Sequence, residues 1–205
     1  MLSVSTALAR LQDGLGESFP DSPGTRIIDI AFPLNDAFDP LLWCGQQAQW
    51  PQFYWQQRNG DEELAALGAV TQFPSLALAS QFLREQNAAG DTRICGLNAF
   101  TPEQGSLFLP RLLWRRTAGT ATLRLQLWSD YSLQEDAHAA RDFLQQLRPA
   151  RSIRPLSVQV EHETHQPQQA EWLKLIRRAT ETIARGDFEK VVLARATDLQ
   201  FTQRV

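Results

Sequence analysis

The sequence predicts an α+β protein, antiparallel sheet layers with flanking helices, on three observations. Residues 122–128 alternate strictly, with Leu123, Leu125 and Leu127 on one face and Arg124 and Gln126 on the other, the period of a half-buried antiparallel strand. Asn59-Gly60 separates the strand-like run 53–58 from the apolar run 64–70, and both residues tolerate the positive φ of a tight hairpin turn. Other stretches repeat their apolar residues every three or four positions, the stripe of a helix lying on a sheet.

Taken in order, Leu8, Leu11 and Leu15 keep helical spacing until Gly14, Gly16, Pro20 and Pro23 break it, which defines one short amphipathic helix. The period then changes: residues 26–32 are rich in β-branched side chains and stop at Pro33, a strand. After the strand at 53–58, Asp61, Glu62 and Glu63 are expected to cap the turn in solvent. Residues 75–87 carry Leu76, Ala79, Phe82 and Leu83 on one side of a helix that Asn87 and Gly90 end. Strands are expected over 93–100 and 106–116, before the alternating one. Ser132 and Glu135 make a Ser-x-x-Glu capping box, and Leu133, Ala137, Ala140, Leu144 and Leu147 the stripe of the helix behind it, ending near Pro149.

Residues 148–155 combine two prolines with three arginines, a solvated connector and a soft boundary. Beyond it, Trp172, Ile176, Ala179 and Ile183 recur at helical spacing, Glu181 and Arg185 are placed to pair across one turn, and Gly186 offers a left-handed cap. A strand bearing Lys190 is expected to follow at once. The organisation is therefore an N-terminal α+β region over 1–150, a connector over 151–167 and the start of another domain over 168–205.

Composition narrows the function. The 205 residues are 43% hydrophobic and 21% charged, with six Trp and eleven Phe, a folded chain without the signature of disorder. A net charge of -3 from 20 basic and 23 acidic side chains gives no basic field for a nucleic acid. No basic segment followed by an apolar core opens the chain, and no run approaches the ~18 apolar residues that span a bilayer. A cytoplasmic protein with no membrane partner is expected. Cys44 and Cys95 lie far apart and outside any Cys-x-x-Cys pair, so they read as small buried hydrophobes.

The local motifs exclude more chemistry than they offer. Glu161-His162-Glu163-Thr164-His165 lacks the His-Glu-x-x-His spacing, since position 166 is Gln166, and a third ligand is missing. No metal ligand is assigned, and the segment reads as a solvated approach to the next helix. Gly14-Leu15-Gly16 has Phe19 where a dinucleotide loop needs glycine, and no Gly-Lys-Ser or Gly-Lys-Thr occurs, so no cofactor-binding residue is assigned. His138 has no triad signature around it.

Lys190 is different in kind. As a strand residue it shares a face with Phe188, Val192 and Ala194, where its amine must snorkel to water or lose its charge. On composition alone, snorkelling at a strand end prevails; burial instead would depress the lysine pKa and make it a base.

The residues Glu189-Lys190-Val191-Val192-Leu193-Ala194-Arg195, preceded by a helix and Gly186-Asp187, resemble the lysine motif of the chorismate-utilising enzymes, the isochorismate synthases in particular. Residues 26–34, 51–62, 96–100 and 109–112 are similar to the N-terminal half of the menaquinone-pathway members from enteric-type bacteria, so the likeness covers essentially the whole chain. It implies that Lys190 is the catalytic general base, activating water for attack on C2 of chorismate, while a glutamic acid on the opposite side protonates the departing C4 hydroxyl and Mg2+ holds the substrate carboxylate. Ammonia-using relatives, anthranilate synthase and aminodeoxychorismate synthase, usually carry glutamine there, so lysine points to the water-using branch.

The family's acid and metal-binding carboxylates belong to a longer C-terminal portion. The resemblance therefore implies the N-terminal part of the anthranilate synthase component I-like fold, truncated, with 168–205 an incomplete start of the chorismate-binding catalytic domain. Chorismate is the implied partner, the implied state is a monomer, and the chain alone is expected to be inactive. Two other readings stay open: a non-catalytic remnant or binding module, and a salicylate synthase-like enzyme that shares the lysine and goes on to eliminate pyruvate.

Overall fold

A computed structural model describes residues 4–33, 38–86, 92–101, 103–117, 119–151 and 158–203. The chain divides into two compact units, Met1–Arg151 and Ser152–Val205. The described residues form α1 (Val4–Gly14), β1 (Gly24–Pro33), α2 (Pro40–Gly45), β2 (Gln52–Gln56), β3 (Glu62–Phe73), α3 (Leu76–Glu85), β4 (Cys95–Asn98), β5 (Gly105–Thr117), β6 (Thr120–Ser129) and α4 (Leu133–Gln145) in the first unit. The second holds β7 (Val160–Gln166), α5 (Gln169–Ala184) and β8 (Ala196–Phe201).

The first unit is built on an antiparallel sheet in the order β1-β6-β5-β3-β2, with β4 pairing the first residues of β5. The alternation read in 122–128 holds: Leu123, Leu125 and Leu127 are 0% exposed and lie in β6 between β1 and β5. Burying each such leucine contributes roughly 1.5–3 kcal/mol. Ala65 and Leu67 of β3, Leu112 and Trp114 of β5 and these leucines belong to one cluster with Ala7 and Leu11 of α1, Trp43 and Cys44 of α2, and Ala137, Ala140 and Leu144 of α4. Because side chains alternate along a strand, the neighbouring Leu64, Ala66 and Leu113 enter a second cluster with Cys95 and Phe108. Phe73, Ala79, Leu107 and Leu109 form a third, against Phe82 of α3.

Local chemistry explains the joints. Gly60, at φ 80, turns β2 into β3, with its N–H donating to the Gln57 carbonyl at 2.8 Å. The expectation that Asp61, Glu62 and Glu63 cap this turn in solvent is corrected for the last two. Glu63 is 7% exposed, accepts from the Tyr54 hydroxyl at 2.7 Å and pairs with Arg116 at 2.9 Å. Glu62 accepts from Arg115 at 2.7 Å. Antiparallel pairing sets Glu62 and Glu63 opposite Thr117 and Arg116, so the arginines of β5 draw both carboxylates onto the sheet.

The Ser132 hydroxyl accepts from the Glu135 N–H at 3.2 Å, one half of the expected capping box. The Ser132 N–H donates to the Ser129 hydroxyl at 2.9 Å instead. Ser75 caps α3 in the same manner; its expected end at Asn87 and Gly90 lies outside the described residues. The short helix α2 was not anticipated from periodicity, being under two turns, although Asp39 accepts from the Leu42 N–H at 2.9 Å and Pro40 opens the first turn, both ordinary start signals. In β3 the register jumps between Ala69 and Thr71, a bulge that leaves Val70 without an opposing residue. Pro110, which has no N–H to give a ladder, stands opposite Ala69 at that irregularity.

One buried polar network was not foreseen. Arg111, 6% exposed, donates to Asp136 at 2.7 and 2.5 Å and to the Gln126 carbonyl at 2.9 Å. Asp136 also accepts from the Trp128 N–H at 3.0 Å, and the Gln126 amide donates to the Pro110 carbonyl at 2.8 Å. The first turn of α4 is thereby fastened to two strands by charge-assisted bonds.

Candidate active-site segment

The second unit carries Lys190. Its helix α5 ends as the sequence indicates: Gly186 sits at φ 81, its N–H donating to the Ile183 carbonyl at 2.9 Å while that of Asp187 reaches the Thr182 carbonyl at 3.3 Å. Those two bonds close the helix in a Schellman motif. Arg185, expected to pair with Glu181, instead meets Asp187 at 3.3 Å and Thr182 at 3.3 Å, because the left-handed turn swings Asp187 back towards it.

The strand expected at Lys190 is corrected. Residues 188–195 belong to no helix or strand, and β8 begins only at Ala196. The shared pleat of Phe188, Lys190, Val192 and Ala194 therefore does not form here. Alternation and β-branched residues favour an extended chain, but a strand exists only where another lends it hydrogen bonds. Among the described residues, β7 pairs with β8, from Val160 opposite Phe201 to Gln166 opposite Ala196, and nothing pairs with 188–195.

Lys190 is exposed, and Val192 beside it is 80% exposed. The burial on which a basic lysine depends is not supplied by the described residues around it. The same holds for the helix preceding it: no residue of α5 is buried, and Leu173, Ile176 and Ile183 stand open.

The other sequence candidates fall elsewhere. Residues 161–165, expected as a solvated approach to a helix, lie in the strand β7. His165 lies 3.2 Å from Glu163 and 3.0 Å from the Thr197 hydroxyl. Among the described residues no three His, Cys, Asp or Glu side chains converge on a metal-sized site. His138 contacts Arg141 at 3.2 Å on an exposed face.

Cys44 and Cys95 are buried and free, and burial pushes their thiols up to about 11 and about 12, the reverse of a reactive cysteine. Burial, with the hydrogen bond to Glu63 adding to it, pushes the Tyr54 phenol up to about 12. A cleft of about 480 Å³ lies between the two hairpin ends, lined by Gln57, Asp61, Glu62, Arg115, Arg116 and Thr117. Its arginines are committed to Glu62 and Glu63, although the Arg116 Nε–H is not aimed well enough at Glu63 to count as a hydrogen bond.

Residues 96–205 match the family described as chorismate binding enzyme. The chain belongs to that family. The match starts at β4 in the first unit and runs through α5, Lys190 and β8.

Among curated proteins the chain is 53% identical over 205 residues to the isochorismate synthase MenF of Escherichia coli, covering 100% of this chain and 48% of that protein. It is 30% identical over 175 residues to MenF of Haemophilus influenzae, with 83% and 38% covered, and 27% identical over 169 residues to MenF of Pasteurella multocida, with 80% and 37% covered. A solved structure of the E. coli menaquinone-specific isochorismate synthase superposes with a TM-score of 0.82 at 52% identity, again over 100% of this chain and 48% of that one. The α+β class and the antiparallel sheet with its helices agree with that structure. The chain spans about half the length, or less, of the curated relatives it matches.

Proposed function

We propose that this chain is part of an isochorismate synthase that converts chorismate to isochorismate for menaquinone synthesis, and that Lys190 is its general base. The observation that carries the reading is the 53% identity over all 205 residues to a protein of that activity. In the proposed reaction Lys190 takes a proton from water as the oxygen bonds to C2. The ring double bonds shift, and the C4 hydroxyl leaves with a proton from an acid, so that one water enters and one departs. A positioned base is worth about 10²–10⁴ in rate. The segment's part is to hold the amine beside the substrate once apolar polypeptide covers 188–195.

Mg2+ belongs to this reading as the group that would hold the substrate carboxylate. The described residues do not form a site for it, so no ligand is assigned and no step is derived through it. No acid is assigned either. The reading places the protein in the cytoplasm as a monomer; no helix among the described residues is long and apolar enough to cross a membrane. The exposure of Lys190 favours a second reading for the chain by itself, a non-catalytic module.

The test is a chorismate assay for isochorismate and pyruvate on residues 1–205, on the same chain extended to the relatives' full length, and on its Lys190→Gln variant. Isochorismate from the extended protein alone, lost in the variant, is expected. Pyruvate with salicylate would move the assignment to the salicylate-forming branch, and unimpaired turnover in Lys190→Gln would remove the base.

A further inference from the structure

Two adjacent glutamines at the end of α2 hold the backbone of the segment that leads out of the first unit. Gln47 accepts from the Arg148 N–H at 2.8 Å and donates to the Arg148 carbonyl at 3.0 Å. Gln46 accepts from the Arg151 N–H at 2.7 Å and donates to the Arg151 carbonyl at 2.7 Å. Each carboxamide meets both polar groups of one residue, as two peptides do in a hydrogen-bonded antiparallel pair. The orientation of each amide is settled by this pairing, because a flipped amide would set donor against donor and oxygen against oxygen. Gln47 is itself buried and donates to the Trp43 carbonyl at 2.9 Å, so its side chain is held as well as holding.

The partners lie 101 and 105 residues away in sequence, just past the end of α4, where helical bonding has stopped and Pro149 offers no N–H. Backbone polar groups there need partners or water, and the glutamines supply partners at two of the four positions 148–151. Yet Arg148 and Arg151 keep their side chains in solvent, and Arg151, followed by Ser152 where Arg148 is followed by Pro149, is a residue a trypsin-like protease cuts after. Such a protease binds its substrate as an extended strand several residues long, which the held backbone cannot become without breaking these bonds.

We propose that Gln46 and Gln47 form a clasp that fixes the exit of the connector as far as Arg151 and shields the exposed cleavage site after Arg151. The clasp is made of neutral amides, so it opens independently of salt and of pH near neutrality, unlike an ion pair.

Hydrogen exchange on the chain tests it. The Arg148 and Arg151 amides are expected to be protected while that of Ala150 between them exchanges freely, with the pattern unchanged at high salt. Gln46→Ala should free the Arg151 amide alone and Gln47→Ala the Arg148 amide, and limited trypsin digestion should cut after Arg151 about tenfold faster in Gln46→Ala, as expected for the loss of two hydrogen bonds. If Gln47→Ala disturbs α2, Gln46→Ala decides, since its side chain lies outside the core. Equal exchange at 148, 150 and 151 in the unaltered chain, or unchanged cleavage in a normally folded Gln46→Ala protein, overturns the proposal.

Discussion

Helices α4 and α5 are alike as sequences and opposite as structures. Both carry an apolar stripe at helical spacing and an orderly C-terminal stop. Yet α4 buries Leu133, Ala137, Ala140 and Leu144, whereas α5 buries nothing. An amphipathic pattern states what a helix needs and leaves open whether the chain at hand provides it. The first unit meets its needs internally through a sheet covered by α1, α2 and α4. The second presents a stripe, a bare apolar loop and a two-stranded ribbon, and the lysine of the proposed chemistry belongs to it.

The largest effect expected from testing this contrast is chemical. In the full-length context Lys190→Ala should lower kcat/KM by about 10²–10⁴ with no change in the thermal midpoint of the first unit; a matching drop in stability would mean that Lys190 is structural. Next comes Asp136→Ala, which strands Arg111 among buried neighbours and should cost about 3–5 kcal/mol in chemical denaturation of the chain.

A paired truncation sharpens the comparison directly. Leu125→Ala should cost about 2–5 kcal/mol, and Ile176→Ala on the open face of α5 less than about 1 kcal/mol. Equal costs would show that α5 is covered in solution. Smaller than the Leu125 loss, Ser132→Ala should cost about 1 kcal/mol through the cap of α4.

The gentlest lever is alkali. The Cys44 and Cys95 thiols are raised from 9.0 to about 11 and about 12, and the Tyr54 phenol from 10.0 to about 12. The unfolded chain therefore releases these protons first, and their contribution, complete below pH 9, is lost as pH rises towards 12. Denaturation midpoints should be flat from pH 7 to 8.5 and fall above it in the first unit, and the fall should be blunted in a Cys44→Ala, Cys95→Ala protein.

Much of the first unit was legible because its signals are local or of period two. The Leu123, Leu125 and Leu127 face, the Asn59-Gly60 turn and the Ser132 cap each need only a few neighbouring residues to declare themselves. Glu62 and Glu63 were misplaced because the arginines that pair with them on β5 stand more than fifty residues away, and Arg111 went unread because a lone arginine among leucines gives no hint of Asp136. For the candidate site the relation is reversed. The motif at 189–195 was readable through its resemblance to a family, but its conformation was not, since a strand is a relation between two segments.

Gly68 shows how sharply the first unit is keyed. It stands at φ 65, and a Cβ there would lie 2.6 Å from the Phe143 ring of α4. The missing side chain is a socket, and the ring is its plug. Deleting one residue of β3 ahead of it would carry a side chain into that socket and turn the apolar face of the strand over, so helix and sheet can mate in one alignment alone.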